Sequence, residues 1–267
     1  MRAIIIAAGL GLRLRPLTEN LPKCMLPVAG RPLLHHTMSH MKAAGCDEFI
    51  IIVGHSAEKI DPCGAKVIVN SDYANNNILH SLMHAAEYLD GPVMCSYSDI
   101  WVEPAIPQQL SRSQSDICLV VDRDWTPYYK GRSEHPVSEA ENVFLDSEGH
   151  VRHVGKHLNP DDAGAFSCGE FIGLWQLSEI GSKIWRETFE HIDQRLSMEE
   201  NFQQAAEWQK AYITDFTQEL IGQGHPVDCT LIERGWAEID TTQDYLRLYE
   251  IAEAQGLHTV STRVETK

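Results

Sequence analysis

Short apolar runs recur through the first 122 residues and alternate with polar or amphipathic stretches. Continuous runs rich in Ile, Val and Phe, bounded by Gly, Pro or Asn, are typical of strands buried on both faces of a parallel sheet. Such runs occupy 2–7, 49–53, 66–69, 93–97 and 116–121, and helical patterns lie between them at 32–42 and 77–89. This alternation predicts an α/β fold with a Rossmann-like, mostly parallel, doubly wound sheet.

The second half of the chain has a different pattern. Apolar segments at 143–145 and 151–154 flank the turn Asp146-Ser-Glu-Gly149, which predicts a β-hairpin. Further strands are predicted at 168–175 and 227–232, and helices at 178–191, 198–208, 214–222 and 241–254. Asp240 or Thr241 can cap the last of these helices. We therefore expect a smaller inserted lobe of hairpin and helices beside the main sheet.

The composition is that of a globular protein with a strong acidic excess. Against 22 Lys and Arg stand 38 Asp and Glu, which gives a net charge of −16. Nucleic acids and anionic membranes are bound through cationic surfaces, so we expect neither as a partner. The seven cysteines form no C-x-x-C pair, and no apolar run approaches the roughly 20 residues of a membrane span. We expect a cytoplasmic protein with reduced thiols, and the sequence leaves a homo-oligomer open.

The loop after the first strand carries the most specific pattern, Ala7-Ala-Gly-Leu-Gly-Leu-Arg-Leu-Arg-Pro-Leu-Thr18, closed by Pro22-Lys23. Two glycines directly after a buried strand let the backbone turn tightly and present N–H groups to a phosphate chain. Arg13 and Lys23 add a guanidinium fork and an ammonium charge for the same anion. The dinucleotide fingerprint G-x-G-x-x-G fails at Leu14, and the Walker pattern is absent. The plain alternative is a surface turn with solvated cations.

The string A-A-G-x-G-x-R-x-x-P-L-T-x-x-x-P-K resembles the nucleotide-binding loop of the sugar-nucleotide pyrophosphorylase superfamily. This resemblance implies the nucleotide-diphospho-sugar transferase fold, with the phosphates of an NTP held on the loop. It implies catalytic contacts from Arg13 and Lys23 to the departing pyrophosphate. It implies nucleotide contacts for Ala7, Ala8, Gly9 and Gly11.

Two aspartates occupy positions suited to a divalent cation, which prefers hard oxygen ligands. In the superfamily, one aspartate after the fourth strand and another near the C-terminus hold Mg²⁺, and the resemblance carries these roles to Asp99 and Asp240. A turn residue and a helix N-cap are the plain alternatives. Lys156, after the hairpin, resembles the lysine that contacts the phosphate of the acceptor; the alternative is a solvated lysine.

Within the superfamily, the chain is most similar to small cytidylyltransferases that act on phosphocholine or phosphonate head groups. The segment Asn70-Ser-Asp-Tyr-Ala-Asn-Asn-Asn-Ile-Leu-His-Ser-Leu82 resembles theirs and implies nucleotide contacts from Asn77 and Ser81. The chain departs from the choline enzymes at Tyr97, where they have a second acidic residue. An amine acceptor would be recognised by an aromatic wall and carboxylates, although aromatic residues more often serve packing. The acceptor-binding candidates are Trp101, Trp125, Tyr128, Glu139, Glu141 and Glu170.

These residues predict a Mg²⁺-dependent nucleotidyltransferase that moves CMP from CTP, or another NMP, onto a phospho- or phosphono-alcohol or amine and releases pyrophosphate. Phosphocholine and 2-aminoethylphosphonate are examples of such acceptors. A sugar 1-phosphate or inositol 1-phosphate acceptor stays open, as does a non-catalytic nucleotide-binding regulatory domain. We expect one domain over 1–267, with a nucleotide-binding part at 1–122, an acceptor-binding part at 123–235 and the second metal aspartate with the last helix at 236–267.

Overall fold

The computed structural model describes residues 1–254, so the end of the predicted 236–267 part lies outside the described residues. The strands are β1 (Arg2–Ala7), β2 (Pro27–Val28), β3 (Arg31–Pro32), β4 (Glu48–Val53), β5 (Lys66–Val69), β6 (Val93–Tyr97), β7 (Ile100–Val102), β8 (Ile117–Asp122), β9 (Asn142–Leu145), β10 (Val151–Gly155), β11 (Ser167–Leu177), β12 (Asp228–Ile232) and β13 (Trp236–Glu238). The α-helices are α1 (Leu33–Ala43), α2 (Ile78–Met83), α3 (Ala105–Leu110), α4 (Glu179–Asp193), α5 (Ile213–Gly222) and α6 (Thr242–Ala254).

A central sheet of nine strands organises the molecule. Its main path runs β10-β9-β11-β6-β1-β4-β5, while β8 pairs with β11 and β12 pairs with β8. The pairs β1–β4, β1–β6, β4–β5 and β8–β12 are parallel, and β11 runs antiparallel to its neighbours. The apolar side chains of β1 are buried on both faces of the sheet because helices cover both. The predicted doubly wound α/β fold is confirmed.

The predicted hairpin forms from β9 and β10, but it does not stand apart as a lobe. Strand β9 pairs with β11, so the hairpin extends the central sheet at its edge. A register shift lies between Phe171 and Trp175 of β11, and Gly173 there has φ +81°. A side chain at Gly173 would meet the Tyr97 ring, so this glycine makes room for that ring. Strand β11 is thereby bent beside the carboxyl end of β6.

The helix predicted at 198–208 is wrong. That segment forms an isolated bridge between Phe202 and Ala205, followed by a 3₁₀ turn at Trp208–Lys210. Phe202 and Trp208 are buried and their rings pack edge to face, and the Gln204 N–H donates to Asp215. Tertiary packing of the two aromatic side chains therefore overrides a weak helical pattern.

Thr241, and not Asp240, caps the last helix. The Asp244 N–H donates to Thr241 Oγ1, and Asp244 Oδ2 accepts from the Thr241 N–H in return. The carboxylate of Asp240 is therefore not used by the cap. On α6, Leu248 is buried and Leu246 is 59% exposed.

No helix within residues 1–254 combines the length and the apolar character needed to cross a membrane.

Candidate functional site

Two adjoining cavities lie beyond the carboxyl ends of β1 and β6, the region where open α/β sheets bind ligands. We call the first the loop cavity; its lining includes Ala7, Ala8, Gly9, Gly11, Lys23, Asn77, Ser81, Tyr97 and Asp99. We call the second the carboxylate cavity; its lining includes Arg13, Asp99, His135, Glu139, Glu141, Lys156, Glu170, Tyr212, Glu238 and Asp240. Gly9, Asn77, Tyr97 and Asp99 line both cavities, so a ligand in one can contact a ligand in the other.

The glycine-rich loop forms the rim of the loop cavity. Gly11 has φ +59°, a conformation that a side chain strains, and a Cβ there would lie 3.4 Å from both Lys23 and Thr18. The Thr18 hydroxyl donates to the Gly11 carbonyl at 2.7 Å and fixes this turn. Leu14 is fully buried beneath the loop. The spacing of glycine, arginine and threonine in the sequence therefore reflects one closed turn, from which Arg13 reaches Asp240.

Asn77 and Ser81 form the opposite wall of the loop cavity. Asn77 stands at the N-terminus of α2, but its amide donates to the Lys210 carbonyl at 2.9 Å and does not cap the helix. Ser81 is buried, and its hydroxyl accepts from the Asn70 amide at 3.0 Å. Both predicted nucleotide-binding side chains are therefore held in place by hydrogen bonds to neighbouring segments.

The junction of the two cavities brings together three segments that are distant in the chain. Lys23 Nζ lies 2.7 Å from Asp99 Oδ2 and also donates to Asp240 Oδ1. Arg13 Nη2 donates to Asp240 Oδ2 at 2.9 Å. Burial would raise the pKa of Asp240, but the charges of Lys23 and Arg13 and a hydrogen bond from His135 hold it well below its usual range. Burial opposes the charge of Lys23 too, yet the two carboxylates raise its pKa above the ordinary value. These groups therefore stay charged.

A buried ionic network supports this junction, and sequence reasoning missed it. His135 Nδ1 lies 3.0 Å from Asp240 Oδ2, and its Nε2 lies 3.4 Å from Glu238 Oε1. Arg132, whose side chain is fully buried, donates to Glu238 at 2.9 Å and to Asp244 at 2.8 Å. One sequence signal could have indicated part of this network. Glu238 ends a short strand two residues before Asp240, and side chains two positions apart in extended chain point to the same side. No spacing pattern connects His135 or Arg132 with residues more than 100 positions later.

The donor set at the junction fits a divalent cation. The Lys23 ammonium lies between Asp99 and Asp240, so these two carboxylates already surround a positive charge. Within residues 1–254, one group of side chains, His135, Glu238 and Asp240, holds ligand atoms within 4.8 Å of one another. Carboxylate oxygens of this kind are the ligands that Mg²⁺ prefers. Asp240 belongs to this group and Asp99 does not, and the assignment of both as Mg²⁺ ligands stays a prediction.

Lys156 lies in the carboxylate cavity beside two acidic side chains. Its Nζ is 3.0 Å from Glu139 Oε2 and 5.0 Å from the centre of the Tyr212 ring. Burial opposes its charge, but Tyr212, Glu139 and Glu141 raise its pKa above the ordinary value. The salt bridge with Lys156 lowers the pKa of Glu139. Lys156 is thus a cation held inside the cavity, not a solvated surface lysine.

Two more acidic side chains of this cavity have raised pKa values. Burial raises the pKa of Glu141 to about 8, and its carboxyl oxygens lie 3.5 Å from the Tyr97 hydroxyl. Burial and the charge of Glu238 raise the pKa of Glu170 well above its usual range. The Tyr129 hydroxyl donates to Glu170 Oε1. The three predicted acceptor-binding glutamates therefore share one cavity with Lys156.

The predicted aromatic wall needs a correction. Trp101 and Trp125 are buried in packing clusters, and Tyr128 hydrogen-bonds the backbone of Glu238 while its ring lies under Arg132 and Arg234. None of the three belongs to the lining of either cavity, because each fills space behind the strands instead. The aromatic residues in the lining of the carboxylate cavity are Tyr97, Phe171, Tyr212 and Trp236.

Comparison with known proteins places the chain in a family. The CTP:phosphoglutamine cytidylyltransferase of Campylobacter jejuni is 27% identical over 256 residues, which cover 91% of this chain and 97% of that protein. The CMP-5'-(3-aminopropyl)phosphonate synthase of Streptomyces rubellomurinus is 35% identical over 237 residues, covering 73% of this chain but 38% of the longer relative. The structure of CTP:phosphocholine cytidylyltransferase from Streptococcus pneumoniae superposes with a TM-score of 0.70 at 23% identity, over 94% of this chain and 98% of that one.

The family model of the MobA-like NTP transferase domain matches residues 3–165, which contain the glycine-rich loop, Lys23, Asp99 and Lys156. The superfamily that the N-terminal loop predicted is confirmed by this match and by the relatives. The chain belongs to the MobA-like NTP transferase domain family.

Proposed function

We propose that this chain transfers CMP from CTP, with Mg²⁺, onto a small phosphorylated or phosphonylated amine or alcohol and releases pyrophosphate. One observation carries the proposal: Lys23 joins Asp99 and Asp240 at the junction of two cavities, one lined by the glycine-rich loop and the other by carboxyl groups. Cytidylyl transfer by the relatives that act on phosphoglutamine, aminopropylphosphonate and phosphocholine supports CTP as the donor.

The reaction requires no covalent intermediate with the protein. A phosphate or phosphonate oxygen of the acceptor forms a bond to the α-phosphorus, and the bond from that phosphorus to the bridging oxygen of pyrophosphate breaks. When bound by Asp99 and Asp240, Mg²⁺ would neutralise charge on the phosphates. Lys23 and Arg13 stabilise the negative charge of the departing pyrophosphate, since both are cations at the cavity junction.

The carboxylate cavity suits an acceptor with an anionic end and a cationic end. Lys156 offers positive charge to the phosphate or phosphonate group. Glu139, Glu141 and Glu170 offer carboxyl groups to the amine, with Tyr97, Phe171 and Tyr212 as aromatic neighbours. Because the cavity holds both kinds of charge, binding fixes the direction of the acceptor and brings its anionic oxygen towards the junction.

A substrate panel tests this function. Each of the four NTPs is combined with phosphocholine, phosphoethanolamine, 2-aminoethylphosphonate, glucose 1-phosphate and inositol 1-phosphate, and pyrophosphate release is measured. We expect acceptor-dependent release with CTP and one of the amine acceptors. Release with a sugar phosphate alone would contradict the acceptor class, and binding of CTP without any release would favour a non-catalytic nucleotide-binding domain.

A further inference from the structure

One oxygen in the wall of the carboxylate cavity has incomplete hydrogen bonding. Glu170 is 3% exposed, and its Oε1 accepts from the Tyr129 hydroxyl. Its Oε2 is buried and has no hydrogen-bond partner among residues 1–254. Buried polar oxygens are nearly always paired in folded proteins, because an unpaired one loses its solvation without compensation. The orphaned oxygen therefore indicates a group that the bound ligand brings.

The neighbouring cation does not supply that partner. Arg132 lies close enough for its charge to affect Glu170, but its Nε and Nη2 donate to Asp244 and Glu238, and its Nη1 makes no hydrogen bond within the described part of the chain. The other three glutamates of the cavity lining differ from Glu170, and Glu238 is paired with Arg132. Glu139 is paired with Lys156, and Glu141 faces the Tyr97 hydroxyl. Glu170 is thus the glutamate of this lining that combines near-complete burial with an unpaired oxygen.

We propose that Glu170 Oε2 accepts a hydrogen bond from an N–H group of the acceptor, so that the enzyme selects amines that carry N–H over fully N-methylated head groups. The inference rests on the proposed function and narrows its substrate class. A primary ammonium or an amide supplies the missing donor, whereas a trimethylammonium brings the same charge but no donor. A site built around a polar group discriminates strongly against ligands that leave this group unpaired.

The position of Glu170 suits this role. It lies in the same cavity as Lys156, which carries the positive charge for the anionic end of the acceptor. Burial and the charge of Glu238 raise the pKa of Glu170, and the approach of an ammonium favours its ionised form. The hydrogen bond from Tyr129 holds the other carboxyl oxygen, so the unpaired oxygen has a fixed direction.

The test is an N-methylation series with CTP as donor: phosphoethanolamine, its monomethyl and dimethyl derivatives, and phosphocholine. All four are monocations at the amine at pH 7, but the number of N–H groups falls stepwise to none. We expect kcat/KM for pyrophosphate release to fall along the series and to drop at least about tenfold at the last methylation. An unchanged or rising kcat/KM overturns the inference while the proposed function stands. No release with any of the four or with the other acceptors overturns both.

Glu170→Met separates hydrogen bonding from steric exclusion, since it removes the oxygens at similar volume. We expect the ratio of kcat/KM for phosphoethanolamine to that for phosphocholine to fall towards one, with CTP binding retained. Glu187→Met, on the surface of α4, is the matched control and should keep the wild-type ratio. A wild-type ratio in Glu170→Met would show that methyl groups are excluded by size and would overturn the inference. If Glu170→Met does not fold, an unchanged or rising kcat/KM along the methylation series of the wild-type protein still overturns the inference.

Discussion

Lys23 Nζ lies 2.7 Å from Asp99 Oδ2, although 76 positions separate the two residues in the chain. The same ammonium donates to Asp240, which is 217 positions further along the chain than Lys23. The glycine-rich loop, the end of β6 and the start of α6 are thus joined by one cation. Removal of that cation would leave the carboxylates of Asp99 and Asp240 facing each other.

Lys23→Ala should lower the turnover of pyrophosphate release by about 10²- to 10³-fold, the usual loss when a charge-stabilising donor is removed. The fold should persist, because the neighbouring loop is also held by the buried Leu14 and by Thr18. Turnover is measured at saturating CTP and acceptor, and folding by circular dichroism. Lys59→Ala, at an exposed site, serves as the control. Turnover within a few fold of wild type would contradict the role of Lys23.

Chelation tests the proposed metal. Asp99 and Asp240 offer oxygen ligands of the type that Mg²⁺ prefers, so EDTA should abolish pyrophosphate release and added Mg²⁺ should restore it. The protein should remain folded in EDTA, because Lys23 and Arg13 already compensate the charge of Asp240. Full activity after exhaustive chelation would contradict a catalytic metal at this site.

Arg132→Leu should destabilise the fold by roughly 3–5 kcal/mol, since it leaves Glu238 and Asp244 buried without their cation. The matched control is Arg123→Ala, because the Arg123–Glu233 pair lies on the surface with both side chains more than half exposed. Loss of this surface pair should lower the free energy of unfolding by less than about 1 kcal/mol. The free energies of unfolding are measured by urea titration. Equal costs for the two variants would show that the Arg132 network does not hold the junction.

Glu141→Gln should change how stability depends on pH. The pKa of Glu141 is raised from the ordinary 4.5 to about 8, so its contribution to stability is present below pH 4.5 and is lost as pH rises towards 8. The groups that affect Glu141 are Lys156, Glu238, Asp215 and Thr214. Between pH 5 and 8 the variant should gain roughly 2–4 kcal/mol relative to wild type.

The measurement for Glu141→Gln is the free energy of unfolding at several pH values, with Glu187→Gln on the surface of α4 as the control. The control should follow the wild-type curve throughout. A constant difference between Glu141→Gln and wild type at all pH values would show that Glu141 is ionised in the folded protein.

The sequence predicted most of the architecture because its strands are continuous apolar runs bounded by Gly, Pro or Asn. β1 and β5 have the predicted bounds, and the hairpin forms where Asp146 and Gly149 predict its turn. The segment at 198–208 could not be predicted in this way. Its conformation depends on Phe202 and Trp208 packing against distant elements, which local periodicity does not record.

The residues of the functional site, too, were only partly predictable from the sequence. Arg13, Lys23, Asp99 and Asp240 belong to recognisable motifs, and the structure brings all four together. Trp101 and Trp125 were candidate wall residues because they are aromatic, but both are buried in hydrophobic clusters and line neither cavity. His135 and Arg132 belong to no recognisable sequence motif, and only the folded chain brings them into contact with Glu238.

The most direct test of the central claim compares wild type with Asp240→Asn in pyrophosphate release from CTP and 2-aminoethylphosphonate or phosphoethanolamine. This substitution keeps the shape of the side chain but removes the charge that Lys23, Arg13 and His135 surround. The proposed function predicts acceptor-dependent release by wild type and at least about a hundredfold lower rate in the variant. Equal rates in the two proteins, or no release by wild type with any acceptor of the panel, would contradict it.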